Sequence, residues 1–216
     1  MMRPRRKRSS SVHQINIINV HAVVLGLDGV GKSALTVRFL TRRFIGEYDE
    51  SLEMTYRHHI TVDGQYVALD IMDTAGENTE EKMEKCASFG NLFIILYSIT
   101  DRFSFMEAKR LGKYIRRVRN NECVLVLVGT KTDLKHQRRV SRNDGLALAK
   151  EMRSVFCEIS ISEGFVETNA LLYDSLRLHL HHKREQENGE KEKLSPLSRM
   201  KEGFRGIYAR RKSCSL

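Results

Sequence analysis

Eight residues near the start of the chain, GLDGVGKS from Gly26 to Ser33, constrain its fold more than any other stretch. They match G-x-x-x-x-G-K-[ST], in which glycines let the backbone wrap a phosphate while its N–H groups point inward as an anion nest. Alone the pattern is weak, because an ordinary glycine turn before a helix can satisfy it. Here an apolar run, NVHAVVLG, leads in, and a run with helical spacing, SALTVRFLTRRF, leads out. A strand entering and a helix leaving sets the helix N-terminus against the phosphates. In that setting Gly26, Leu27, Asp28, Gly29, Val30, Gly31, Lys32, Ser33 and Ala34 are candidate phosphate-binding residues. Lys32 would reach the β- and γ-phosphates, and Ser33 would ligate Mg²⁺. Asp28 is the anomaly, a carboxylate where negative charge must be received.

Downstream, YRHHITVDGQYVALDIMDT reads as two strands around an Asp63-Gly64 turn. FIILYSI, CVLVLVG and VFCEIS read as three further buried strands, with helical stretches near 103–121 and 142–154 between them. A last helix is marked by Val166, Ala170, Tyr173, Leu176 and Leu180. One hairpin followed by strand–helix alternation predicts an α/β fold, a mostly parallel six-stranded sheet with helices on both faces. No internal repeat is present, and residues 183–193 are charged enough to read as a solvated linker or a frayed helix end.

Two further stretches carry chemistry. In LDIMDTAGE, Asp73 ends an apolar strand, where its carboxylate can hold a water of Mg²⁺. Thr74, Ala75, Gly76 and Glu77 follow, with the Gly76 N–H free to face a γ-phosphate. In VLVGTKTDL, Thr130, Lys131, Thr132 and Asp133 leave a buried strand. A carboxylate there can accept from the N1–H and 2-amino groups of guanine, a donor pair that adenine lacks.

The order and spacing of these motifs resemble the Ras-like small GTPases over roughly residues 18–182. Within that family the chain is most similar to the RERG/RASL branch of oestrogen-regulated growth inhibitor and Ras-like proteins. The resemblance implies the P-loop NTPase fold of a small G domain, GTP and GDP as ligands, and Mg²⁺ as cofactor. FIGEYDESLEMTY, Phe44 to Tyr56, is similar to the family's first switch, so Phe44 would stack on guanine and Ser51 would ligate Mg²⁺ beside Ser33 and Asp73. Effector proteins would dock on Tyr48 to Tyr56 and the second switch. Ser160, Ile161 and Ser162 in EISIS stand where the family has its second base loop. Lys32, Gly76 and Glu77 are the implied catalytic residues.

The departures from the family pattern gather where hydrolysis occurs. Asp28 replaces a glycine, Glu77 the glutamine that orients the attacking water, Ser51 a threonine and Ile161 an alanine. The segment after Gly76 is one residue shorter than usual, and Met54 stands where the effector loop often has a carboxylate. Asp28 would crowd the space that an activating partner's arginine enters. Both new carboxylates add negative charge where negative charge develops, which predicts slow hydrolysis. A bland reading pairs Asp28 with a nearby cation such as Lys82. The expected function is a guanine-nucleotide switch with slow turnover. The alternatives are a scaffold held in one nucleotide state and an ATP-dependent enzyme.

Charge separates three segments of the 216 residues: a basic extension, 1–17, the domain, 18–182, and a charged linker with basic tail, 183–216. Of the net charge of +10, residues 1–14 carry +5 and residues 194–216 another +5, so the span between is near neutral. Cys86, Cys123, Cys157 and Cys214 form no C-x-x-C pair and suit a reducing compartment. No apolar run is long enough to span a membrane. Leu194, Leu197, Met200, Phe204 and Ile207 lie three or four residues apart among basic residues. They suit either an amphipathic helix on an anionic membrane or in a calmodulin-like groove, or a plain basic tail. Cys214 is third from the end, so prenylation is not expected. A monomer in the cytoplasm, at the inner face of the plasma membrane or in the nucleus is expected, without nucleic-acid binding, since no aromatic platform accompanies the charge. His58-His59 and His179 to His182 lack companion ligands and read as solvated polar faces.

Overall fold

A computed structural model of the chain describes residues 17–41, 54–74, 76, 78–120 and 122–188. Phe44, Ser51, Ala75, Glu77, both tails and most of the effector stretch therefore lie outside the described residues. The element order is β1 (Ile17–Gly26), α1 (Lys32–Thr41), β2 (Met54–Val62), β3 (Gln65–Asp73), α2 (Glu80–Phe89), β4 (Leu92–Ser98), α3 (Arg102–Arg119) and β5 (Val124–Thr130). A 3₁₀ turn over Thr132–Gln137, α4 (Arg142–Glu151), β6 (Val155–Glu158) and α5 (Phe165–Asn188) complete it.

The six strands form one sheet in the order β2-β3-β1-β4-β5-β6. Only β2 and β3 pair antiparallel, through a hairpin in which Asp63 and Gly64 both take positive φ, 47° and 78°. The other pairs are parallel. Every residue of β4 and β5 is buried, because helices cover both faces, and this is why LFIILYS and VLVLVGT are apolar runs rather than alternating ones. Alternation persists in where the side chains go. Val20, Ala22 and Val24 of β1 join Leu35 and Leu176 beneath α1 and α5. Val23 and Leu25 join Met83, Leu111 and Leu148 beneath α2, α3 and α4. Three helices start on side-chain caps: Thr79 for α2, Asp101 for α3, and Ser141 with Asp144 in a capping box for α4. Parallel pairing sends β1, β4, β5 and β6 to the same edge, and the candidate loops leave from it.

α5 continues to Asn188, through the first part of the charged stretch that reads as a linker or frayed helix end. One side chain corrects the sequence reading. His179 is not on a solvated face but buried, since it falls one turn beyond Ser175 and Leu176 on the stripe of α5 that packs on the sheet. Its Nδ1 has no partner, and burial, reinforced by His182, Lys183 and His21, pushes the imidazole down to about 4. The unfolded chain then takes up a proton that the fold refuses. The contribution of His179 is full above pH 6.5 and is lost as pH drops from there toward 4, by up to about 3 kcal/mol. Urea unfolding from pH 7 to 4.5 should show this loss in the native protein and a flatter profile in His179→Gln.

Candidate nucleotide site

The loop between β1 and α1 curls so that Lys32, at the first position of α1, turns back over it. Its Nζ donates to Asp28 Oδ1 at 2.8 Å and to Leu27 O at 3.2 Å. The ammonium is buried, whereas the Asp28 side chain is 44% exposed at the mouth of the loop. The partner of Asp28 is therefore Lys32, four residues on, and not Lys82. Lys82 reaches the Gly76 carbonyl instead, at 3.3 Å. Gly31, at φ +103°, brings the loop against the second base loop, since a Cβ there would stand 3.0 Å from Ile161 Cδ1.

Asp73 ends β3 beside Val24 of β1, and the Thr74 hydroxyl ties the junction by donating to Val24 O at 2.8 Å. The Asp73 carboxyl is pushed above its usual range by burial, partly offset by a hydrogen bond from Ser33 and by the charges of Lys32 and Lys82. Its Oδ1 is buried without a partner. An orphaned carboxylate oxygen beside a helix-terminal serine is what a divalent cation would satisfy. Ser33 and Asp73 fit Mg²⁺, and a phosphate would supply further oxygens. Gly76 follows in a left-handed turn, φ +66°.

The candidate base-recognition residues lie in two segments, one following β5 and one following β6. Asp133 Oδ1 accepts from Ser160 Oγ at 2.7 Å, which aims the carboxylate. Ser162 Oγ lies 3.0 Å from the same Ser160 hydroxyl. The Thr130 hydroxyl is within hydrogen-bond reach of Val30 O, 2.8 Å, and Tyr97 O, 3.0 Å, and so fastens the phosphate loop to β4 and β5. Lys131 sits between them with left-handed φ, 61°. The structure thus brings Gly26 through Ala34, Asp73, Thr74, Gly76, Thr130 through Asp133 and Ser160 through Ser162 to one edge of the sheet.

Several residues of this site are not evident from motif spacing. Arg38 of α1 is buried and its Nη1 donates to Ile161 O at 2.6 Å and Ser162 O at 3.2 Å, so the first helix holds the base loop. Asn78 Nδ2 donates to Glu107 Oε1 of α3 at 2.9 Å and to Gly26 O at 3.4 Å. Arg110 clamps Glu107 with two bonds of 2.8 Å and reaches Asn78 O at 3.2 Å, and it holds the Glu107 carboxyl below its usual range. Arg138 clamps Glu158 at 2.7 and 2.9 Å under the base loop. The sequence signal that could have marked Arg38 is an arginine on the apolar face of SALTVRFL.

The sequence model of the Ras family matches residues 21–173. The human Ras-related and estrogen-regulated growth inhibitor is 43% identical over 159 residues, 73% of this chain and 80% of that protein. Human Ras-like protein family member 11A is 38% identical over 156 residues, 68% of this chain and 64% of its own length. Mouse GTP-binding protein Rit1 is 44% identical over 140 residues, 64% of each.

Proposed function

The chain belongs to the Ras family of small GTPases, which bind GTP and GDP and act through effectors, and from that premise we propose a Mg²⁺-dependent switch whose GTP hydrolysis is slow. The observation that carries the slow rate is the pairing of Asp28 with Lys32 at 2.8 Å. Lys32 is the cation that would meet the β- and γ-phosphates, and a carboxylate already engages it. Ser33 and Asp73 would hold Mg²⁺, which when bound neutralises phosphate charge. Gly76 would offer its N–H to the γ-phosphate, and Asp133, aimed by Ser160, would select guanine. Negative charge grows on the phosphate oxygens as the terminal group is transferred, and Asp28 opposes it at close range. Glu77 would add a second carboxylate in place of a neutral amide.

A scaffold that never turns over draws no support from the relatives matched, and Asp133 argues against an ATP-dependent enzyme. The protein would act in the cytoplasm or, through its basic tail, at an anionic membrane.

Single-turnover hydrolysis tests the reading. The protein is loaded with GTP without Mg²⁺, Mg²⁺ is added, and GDP is followed over hours. The wild type should form GDP slowly, and Asp28→Gly should raise the rate about tenfold, the equivalent of about 1.4 kcal/mol of barrier. Glu77→Gln should raise it further. A wild type as fast as both variants would defeat the proposal of slow turnover.

A further inference from the structure

We propose that Asp28 is a specificity-determining residue that stands in for the γ-phosphate at Lys32, so that the site prefers GDP to GTP. The inference rests on the guanine-nucleotide reading of the same site and concerns which nucleotide state the free protein favours.

The geometry separates the two ligands. Lys32 Nζ has three N–H groups and no acceptor. One goes to Leu27 O at 3.2 Å and one to Asp28 Oδ1 at 2.8 Å, both from the loop itself. The buried Asp73 carboxylate also feels the charge of Lys32, so more than one anionic group already stands near the ammonium. A diphosphate can enter the backbone nest and take the remaining N–H through its β-phosphate while Asp28 stays in place. A triphosphate must bring its γ-phosphate to the same ammonium. It then either displaces Asp28 from Lys32 or lies beside it as a second anion. Displacement forfeits a charge-assisted hydrogen bond, and coexistence places like charges a few ångströms apart. Both penalties fall on the γ-phosphate and neither on the β-phosphate.

The partial exposure of Asp28 limits the size of the effect without removing it. Its side chain is 44% exposed, so water can take up some of the lost interaction. The buried partner has less freedom, because the Lys32 side chain is 6% exposed. The same pairing gives the nucleotide-free loop an internal counter-ion, so Asp28 should also support the protein before any ligand arrives.

The test compares the full chain with Asp28→Asn, which keeps shape and removes charge, and with Asp28→Gly. Dissociation constants are measured at equilibrium with Mg²⁺ for GDP and for a GTP analogue bearing a non-hydrolysable β–γ bridge, by competition against a fluorescent GDP. The wild type should favour GDP, and both variants should shift the GDP-to-triphosphate ratio toward the triphosphate by about tenfold or more. The nucleotide-free thermal midpoint should fall in both variants, since Lys32 loses its anion. A ratio that stays within about twofold in both variants, with tight binding of both ligands, overturns the proposal and leaves the guanine-nucleotide reading intact. Failure of all three proteins to bind either ligand overturns both.

Discussion

Asp133→Ala should lower guanine-nucleotide affinity about a thousandfold, near 4 kcal/mol, while leaving the fold intact. Two hydrogen bonds to a carboxylate are lost, each worth about 1.5–3 kcal/mol where the acceptor is charged. The loss is not softened by a substitute acceptor, because the hydroxyl of Ser160, the residue that aims Asp133, stays engaged with Ser162 Oγ and the Glu163 N–H. Discrimination should collapse with affinity. Adenine offers no donor pair to a carboxylate, so ATP gains nothing from Asp133 and loses nothing when it goes. Competition of GDP, GTP and ATP against a fluorescent nucleotide reads both effects at once. Circular dichroism checks the fold, which should hold since Asp133 is only partly buried in a 3₁₀ turn. A variant that still prefers guanine by more than about a hundredfold would mean that the base is read elsewhere.

The sheet and the phosphate loop were legible because their causes are local. β4 and β5 announce themselves as unbroken apolar runs since both faces are covered, and the hairpin at Asp63-Gly64 since only a short list of residues tolerates positive φ. Asp73, Asp133 and the loop glycines sit at strand ends, where parallel pairing gathers them whatever the intervening sequence contains. Residues whose role depends on a distant partner were not legible. Arg38 reads as an interruption of an apolar stripe until Ile161, 123 residues away, is seen to offer it a carbonyl. Asn78, Glu107 and Arg110 join the segment before α2 to α3 across 29 and 32 residues, a spacing that no motif records. Asp28 shows the opposite failure. Its partner is four residues away, but a loop that curls back on its own helix is not implied by spacing, and the more distant Lys82 was an equally natural choice. His179 was misread for a simpler reason: a histidine beside two others suggests solvent, whereas the face of the helix decides burial.

Gly26→Ala should badly damage the phosphate loop, and the reason is steric rather than chemical. A Cβ at Gly26 would stand 2.6 Å from Leu96 O and 2.9 Å from Val30 Cγ2, with the backbone at φ +151°. Leu96 O belongs to the buried strand β4, which is paired on both sides and cannot recede. The loop must therefore lift away from the sheet, carrying the Val30 carbonyl away from Thr130 and loosening the hold of Asn78 on Gly26 O. Overpacking and backbone strain together should cost about 3 kcal/mol, a fall in thermal midpoint of about 6–12 °C for a chain of this size. Gly29→Ala is the matched control. It also has positive φ, +75°, but a Cβ there meets nothing within 4 Å, so it should lose only the strain of that conformation, about 1 kcal/mol. The two variants should part again when GDP is added. Bound ligand raises the melting midpoint in proportion to the logarithm of its concentration over its dissociation constant. Gly29→Ala should keep that rise and Gly26→Ala should lose most of it, because the nest of N–H groups exists only while the loop rests on β4. Equal midpoints for the two variants would mean that left-handed φ, and not contact with Leu96, is what demands glycine at the start of the loop.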